Sequence, residues 1–163
     1  MIYNYSMEQI QDLISESNIK IPGGLSMSVV KELLRTEDNG SISFGNYELD
    51  TKSKLSDFEY KGDLYKVKTF KEITKLERNG MFVYESVPGT AVSNFNEENG
   101  VMEFEVEGNE DAQVTVEAED GAEYKVYINN TNVGKMKSNF GGKLVLSVEL
   151  ESGKPVNVKI VRI

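Results

Sequence analysis

The chain has 163 residues, 18 Lys+Arg against 27 Asp+Glu, and no His, Cys or Trp. That length suits one ordinary domain or two very small ones. The missing residue types exclude a Ser-His triad, a Cys-His dyad, a zinc or iron–sulfur site and a disulfide framework built from this chain. A net charge of −9 leads away from nucleic acid and anionic membrane, which both recruit clustered positive surface.

Ser6-Met7-Glu8-Gln9 has the Ser-x-x-Gln form of a capping box. Met7, Ile10, Leu13 and Ile14 follow at helical spacing, with Glu8, Gln11, Asp12 and Glu16 on the opposite side. The spacing predicts one amphipathic helix over about residues 7–18, ended before Pro22-Gly23-Gly24. So short a helix is marginal in water by itself. Its apolar stripe, Met7, Ile10, Leu13 and Ile14, is therefore a candidate partner-binding surface, and residues 1–26 read as an appended helix and linker. The first Lys is Lys20 and no run is apolar for the roughly 18 residues that a membrane span needs. These two features suggest a cytoplasmic protein.

From Val29 onward the period becomes that of strands broken by tight turns at Asp38-Asn39-Gly40, Lys61-Gly62-Asp63 and Arg78-Asn79-Gly80. Asn-Gly between alternating apolar runs is the strongest short-range hairpin signal. Strands are expected near 29–36, 41–48, 57–60, 64–70, 72–78 and 81–87. Val29, Val30, Leu33 and Leu34 also fit a helical period, and the β-branched pair with the following turn favours strand.

The remainder alternates more cleanly. Met102, Phe104 and Val106 oppose Glu103, Glu105 and Glu107; Val114, Val116 and Ala118 oppose Thr115, Glu117 and Glu119; Leu144, Leu146, Val148 and Leu150 oppose Val145, Ser147, Glu149 and Glu151. One face is core and the other solvent. With strands at 124–129, 133–138 and 156–162, this spacing is that of a small β-sandwich. The expected fold is all-β, with two small antiparallel β modules joined around residues 94–100: a β-meander, barrel-like, over 27–96 and a β-sandwich over 97–163.

Charge is polarised along the chain: −3 over 1–96, −11 over 97–124 and +5 over 125–163. Acidic strands are expected to pair with basic neighbours, each cross-strand pair contributing roughly 0.2–1 kcal/mol.

Residues 62–92, with Phe44-Gly45-Asn46-Tyr47 before them and Val133-Gly134-Lys135-Met136-Lys137-Ser138-Asn139 after, resemble a family of short acidic proteins of anaerobic bacteria, some labelled endosialidase. The resemblance covers about 27–163. It implies a shared fold and carries no catalytic residue onto this chain.

Sialidase chemistry as a class needs a propeller and three arginines converging on the sugar carboxylate. This chain is short and holds three arginines in all, Arg35, Arg78 and Arg162, with Arg78 expected at a hairpin turn and Arg162 at the end of the chain. A glycosidase of two carboxylates needs a cleft that holds them face to face. Asn109-Glu110-Asp111 and Glu117-Ala118-Glu119-Asp120-Gly121 offer hard oxygens but do not match a twelve-residue calcium loop, and they read as turns. Gly141-Gly142 lacks the strand-turn-helix context of a phosphate loop. No catalytic, cofactor-binding or metal-binding residue is assigned and no cofactor is expected.

For a glycan, stacking platforms would have to be tyrosines, and Tyr47, Tyr84 and Tyr127 are the candidates for exposure. The expected role is non-enzymatic binding or assembly, with a protein partner or self-association. A carbohydrate-binding module is the first alternative and a small carboxylate-based glycosidase the second. The first would show a row of exposed Tyr, the second a cleft with two facing carboxylates.

Overall fold

The computed structural model describes residues 29–163. The expected helix, with Met7, Ile10, Leu13 and Ile14, lies outside the described residues. The rest is all-β, in two antiparallel sheets. The strands are β1 (Leu34–Thr36), β2 (Ile42–Phe44), β3 (Ser53–Tyr60), β4 (Asp63–Phe70), β5 (Ile73–Arg78), β6 (Met81–Val87) and β7 (Ala91–Glu98), followed by β8 (Val101–Glu107), β9 (Ala112–Glu117), β10 (Glu123–Ile128), β11 (Thr131–Lys137), β12 (Lys143–Val148) and β13 (Val156–Arg162). One sheet runs β1-β2-β7-β8-β13-β10-β11 and the other β12-β9-β6-β5-β4-β3.

Local chemistry sets the hairpins. Lys61-Gly62, Asn79-Gly80, Asn99-Gly100 and Asn129-Asn130 each place two successive residues at positive φ. They close the registers Tyr60↔Asp63, Arg78↔Met81, Glu98↔Val101 and Ile128↔Thr131 with two-residue loops. That backbone matches the right-handed twist of the flanking strands.

The two sheets share one core. Tyr84 of β6 meets Phe44 of β2 edge-on at 5.2 Å and Phe104 of β8 at 5.8 Å, while Phe95 stacks on Phe104 within the other sheet. Edge-to-face pairs of this kind add about 0.5–1.5 kcal/mol each beyond the area that they bury. Around them, alternate residues such as Val67, Leu76, Val106, Val114 and Val158 are fully buried.

The expected boundary near residue 96 is crossed by pairing in both sheets. β7 pairs with β8, and β6 pairs with β9. The core takes residues from Leu34 to Ile160. The segment expected to join two modules is itself a central strand, β7. The expected strand at 29–36 is reduced to Leu34–Thr36, because Leu33 adopts φ 73° in a turn whose Val30 N–H donates to Gly45 O at 3.0 Å. Likewise 41–48 shrinks to Ile42–Phe44, since Gly45 turns the chain at φ 98°.

The crossing from β6 to β7 rests on a buried hydroxyl network. Thr90 Oγ1 lies 2.8 Å from Tyr84 OH and 2.7 Å from Ser86 Oγ, and Thr74 Oγ1 donates to Thr90 O at 2.8 Å. Thr69, Thr74, Ser86 and Thr90 are all fully buried. Bonded to one another, these hydroxyls avoid the penalty of an orphaned buried polar group. Gly89 is required here: a Cβ at this position would sit 1.9 Å from Phe70 O.

Candidate functional site

Two concave regions combine polar groups from several strands. The first is a cleft between the sheets, about 270 Å³, at the end of the sandwich formed by the β7–β8 turn, the end of β9 and the end of β13. Its floor is core, including Met102, Leu144 and Ile160, and its rim carries Glu97, Glu117, Glu119 and Arg162. Arg78 Nη2 holds Glu117 Oε1 at 2.8 Å, and Arg162 Nε holds Glu119 Oε2 at 2.9 Å. Tyr124 OH accepts from the Glu119 N–H at 2.8 Å. Burial, and secondarily the charge of Glu117, push the Glu97 carboxyl above its ordinary pKa, with Arg78 opposing. The side chain is nonetheless open to solvent on one side, so water moderates the effect.

The second region is a cup of about 390 Å³ on the outer face of the seven-stranded sheet. Glu103 and Glu105 of β8 reach it because Met102, Phe104 and Val106 take the inward phase. Asn96 is the cross-strand partner of Glu103, and Asn157 that of Glu105. Asn94 enters through a bulge: the β7–β8 register shifts between Ser93 and Asn96, and Asn94 adopts φ 55°. Asn39 and Ser41 arrive from the β1–β2 turn.

Hydrogen bonds fix this wall in advance. Asn39 Nδ2 donates to Asn94 Oδ1 at 3.3 Å, and Ser41 Oγ lies 2.5 Å from Asn39 Oδ1 and 3.2 Å from Asn94 Oδ1. Across the cup Asn157 Nδ2 donates to Glu103 Oε2 at 3.2 Å, while Asn157 Oδ1 is buried with no hydrogen-bond partner.

The predicted tyrosines separate. Tyr84 is fully buried in the aromatic core, and Tyr47 is 5% exposed with its hydroxyl donating to Glu107 Oε2 at 3.2 Å. Neither ring is a platform, and the expected row of exposed Tyr is not formed. Apolar neighbours on the opposite sheet claim Tyr84, and a carboxylate claims Tyr47. Tyr127 alone is half-buried on an outer face. It lies opposite Lys159 on β13, so it is the diagonal neighbour of Asn157 on the same face. The three arginines do not converge: Arg35 pairs with Glu32 and Glu37, away from the cleft that Arg78 and Arg162 flank.

Expected acid–base matching between strands is present in the register, as in Glu103↔Lys159, Glu117↔Lys143 and Glu123↔Lys137. The alternation rule fails at Glu107, which is 3% exposed although its sequence phase pointed outward. Among the described residues no group of three or more acidic, His or Cys side chains is placed to hold a metal ion. No family model matches the chain, and searches of curated proteins and of solved structures return no match.

Proposed function

We propose that this chain is a non-catalytic binding protein acting through the outer surfaces of its β-sandwich. The observation that carries this reading is the cup: seven polar side chains from three strands and a turn gather on an outer sheet face, four of them carboxamides. Carboxamides neither titrate near neutral pH nor attack an electrophile, so their collective capacity is recognition. The reading takes in a protein partner, self-association and a glycan. It leaves out nucleic acid, whose phosphates would meet Glu103 and Glu105 at the cup.

The glycosidase alternative is favoured by one observation, the placement of Glu97 and Glu117 on the rim of one cleft. Burial pushes Glu97 toward the protonated form, and Glu117 lies 2.8 Å from the Arg78 guanidinium.

The test is turnover. The purified protein is incubated with chromogenic glycosides, sialosides and esters, beside Glu97→Gln and Glu117→Gln. No hydrolysis above the uncatalysed rate is expected from any of the three proteins. Hydrolysis by the wild type that disappears in either folded variant replaces the binding reading with the glycosidase.

A further inference from the structure

We infer that the cup on the seven-stranded sheet is a binding site for a neutral, polyhydroxylated ligand of the sugar class, with Tyr127 as its flanking platform. This rests on the binding reading above and deepens it. Three independent features lead to the ligand's chemistry. First, Asn39, Asn94, Asn96 and Asn157 offer both N–H donors and carbonyl acceptors, and Glu103 and Glu105 offer acceptors alone. A ligand that matches such a wall must donate and accept at closely spaced points, as the hydroxyls of a pyranose ring do. An anionic ligand would meet two carboxylates, and a hydrocarbon would strand every group in the wall.

Second, the wall is organised before any ligand arrives. The Asn39–Ser41–Asn94 bonds hold the left side, and the Asn157–Glu103 bond holds the floor. Fixed polar groups avoid the ordering cost that flexible ones incur on binding.

Third, Tyr127 is half-buried on the same face, diagonal to Asn157 across the β10–β13 pair. The diagonal separation is about 7–8 Å at Cα, within reach of an aromatic side chain. An amphipathic ring beside a polar wall offers the apolar side of a sugar a surface while its hydroxyls face the amides.

The experiment is saturation-transfer NMR on the full chain. The probes are cellobiose, mannobiose, lactose and N,N′-diacetylchitobiose, with sialyllactose as the charged comparison. Saturation transfer to at least one neutral disaccharide is expected, weaker to sialyllactose, and unchanged by a calcium chelator. Asn96→Ala and Tyr127→Ala should each weaken it about tenfold or more. Lys68→Gln, on the opposite sheet, should leave it unchanged. Circular dichroism checks the fold of each variant, and the milder Asn96→Asp and Tyr127→Phe replace any that unfolds.

Absence of transfer to every probe overturns the sugar assignment. Transfer untouched by all the cup variants, or abolished by the chelator, overturns the site as described. None of these results bears on the broader binding reading, which instead fails if a probe is consumed during the experiment.

Discussion

Removing the Tyr84 hydroxyl separates its two roles, as a core ring and as a member of the buried network around Thr90. Tyr84→Phe keeps the edge-on contacts with Phe44 and Phe104 and leaves Thr90 Oγ1 its partner Ser86. A destabilisation of about 1–2 kcal/mol is expected in urea denaturation. The same substitution has a pH signature. Burial pushes the Tyr84 pKa up from its ordinary 10.0 to about 12, against the hydrogen bonds from Thr90 and Ser86 that oppose the shift. The unfolded chain therefore loses this proton before the folded one does. The contribution to stability is fully present below pH 10 and is lost between pH 10 and about 12, to a total of about 3 kcal/mol. Stability measured across that range should fall less steeply for Tyr84→Phe than for the wild type. An unchanged alkaline slope would mean that Tyr84 does not stay protonated in the folded state.

At the scale of elements, β7 joins fold to site. Its buried residues are Ala91, Val92 and Phe95, so the inward phase slips where the bulge inserts Asn94. Two residues then oppose one, which bends the strand and turns Asn94 toward the cup. Asn94→Val should cost about 1–3 kcal/mol, because a β-branched residue resists φ 55°. Asn94→Gly accepts that φ and loses only the carboxamide, so it should be nearer the wild type. Equal losses in the two variants would show that the side-chain bonds matter and the backbone conformation does not.

The bulge also explains what the sequence could and could not convey. β8 as far as Val106, and β9, keep strict alternation between turn signals, and their existence and phase were legible; β4 and β5 were legible as strands from the turns that bound them. In β7 the spacing from Val92 to Phe95 is odd, and the Asn-rich stretch imitates a linker, so a central strand read as a joint. The cup was hidden for another reason. Asn39, Asn94, Glu103 and Asn157 are far apart in the chain, and each taken alone is an ordinary turn or outward-facing residue; only the strand order brings them together. The outward phase of Tyr127, where the ring is half-buried, follows from local alternation along β10. The burial of Tyr84 was not legible, because the register shift between Leu76 and Glu77 in the β5–β6 pair breaks such alternation and buries both Val83 and Tyr84.

At the scale of the molecule, the sheets interleave strands from both halves of the chain around one core. The described body should therefore unfold in a single cooperative transition, with calorimetric and van't Hoff enthalpies in agreement. Two resolved transitions would instead favour separate modules. Three of the four outer edges, β1, β3 and β11, are guarded against strand-to-strand pairing. β1 has three residues, β3 carries a bulge with Asp57 at φ 58°, and the exposed strand β11 carries Lys135 and Lys137. Recognition by a sheet face rather than by edge pairing fits that arrangement.

The measurement that bears most directly on the central claim is a two-dimensional amide NMR titration with a neutral disaccharide, with the ligand's own resonances followed over hours. The account predicts shifts clustered at Asn96, Glu103, Tyr127 and Asn157, with ligand signals that do not change with time. Shifts clustered at Glu97, Glu117 and Arg162, accompanied by new anomeric signals from a cleaved sugar, would contradict it.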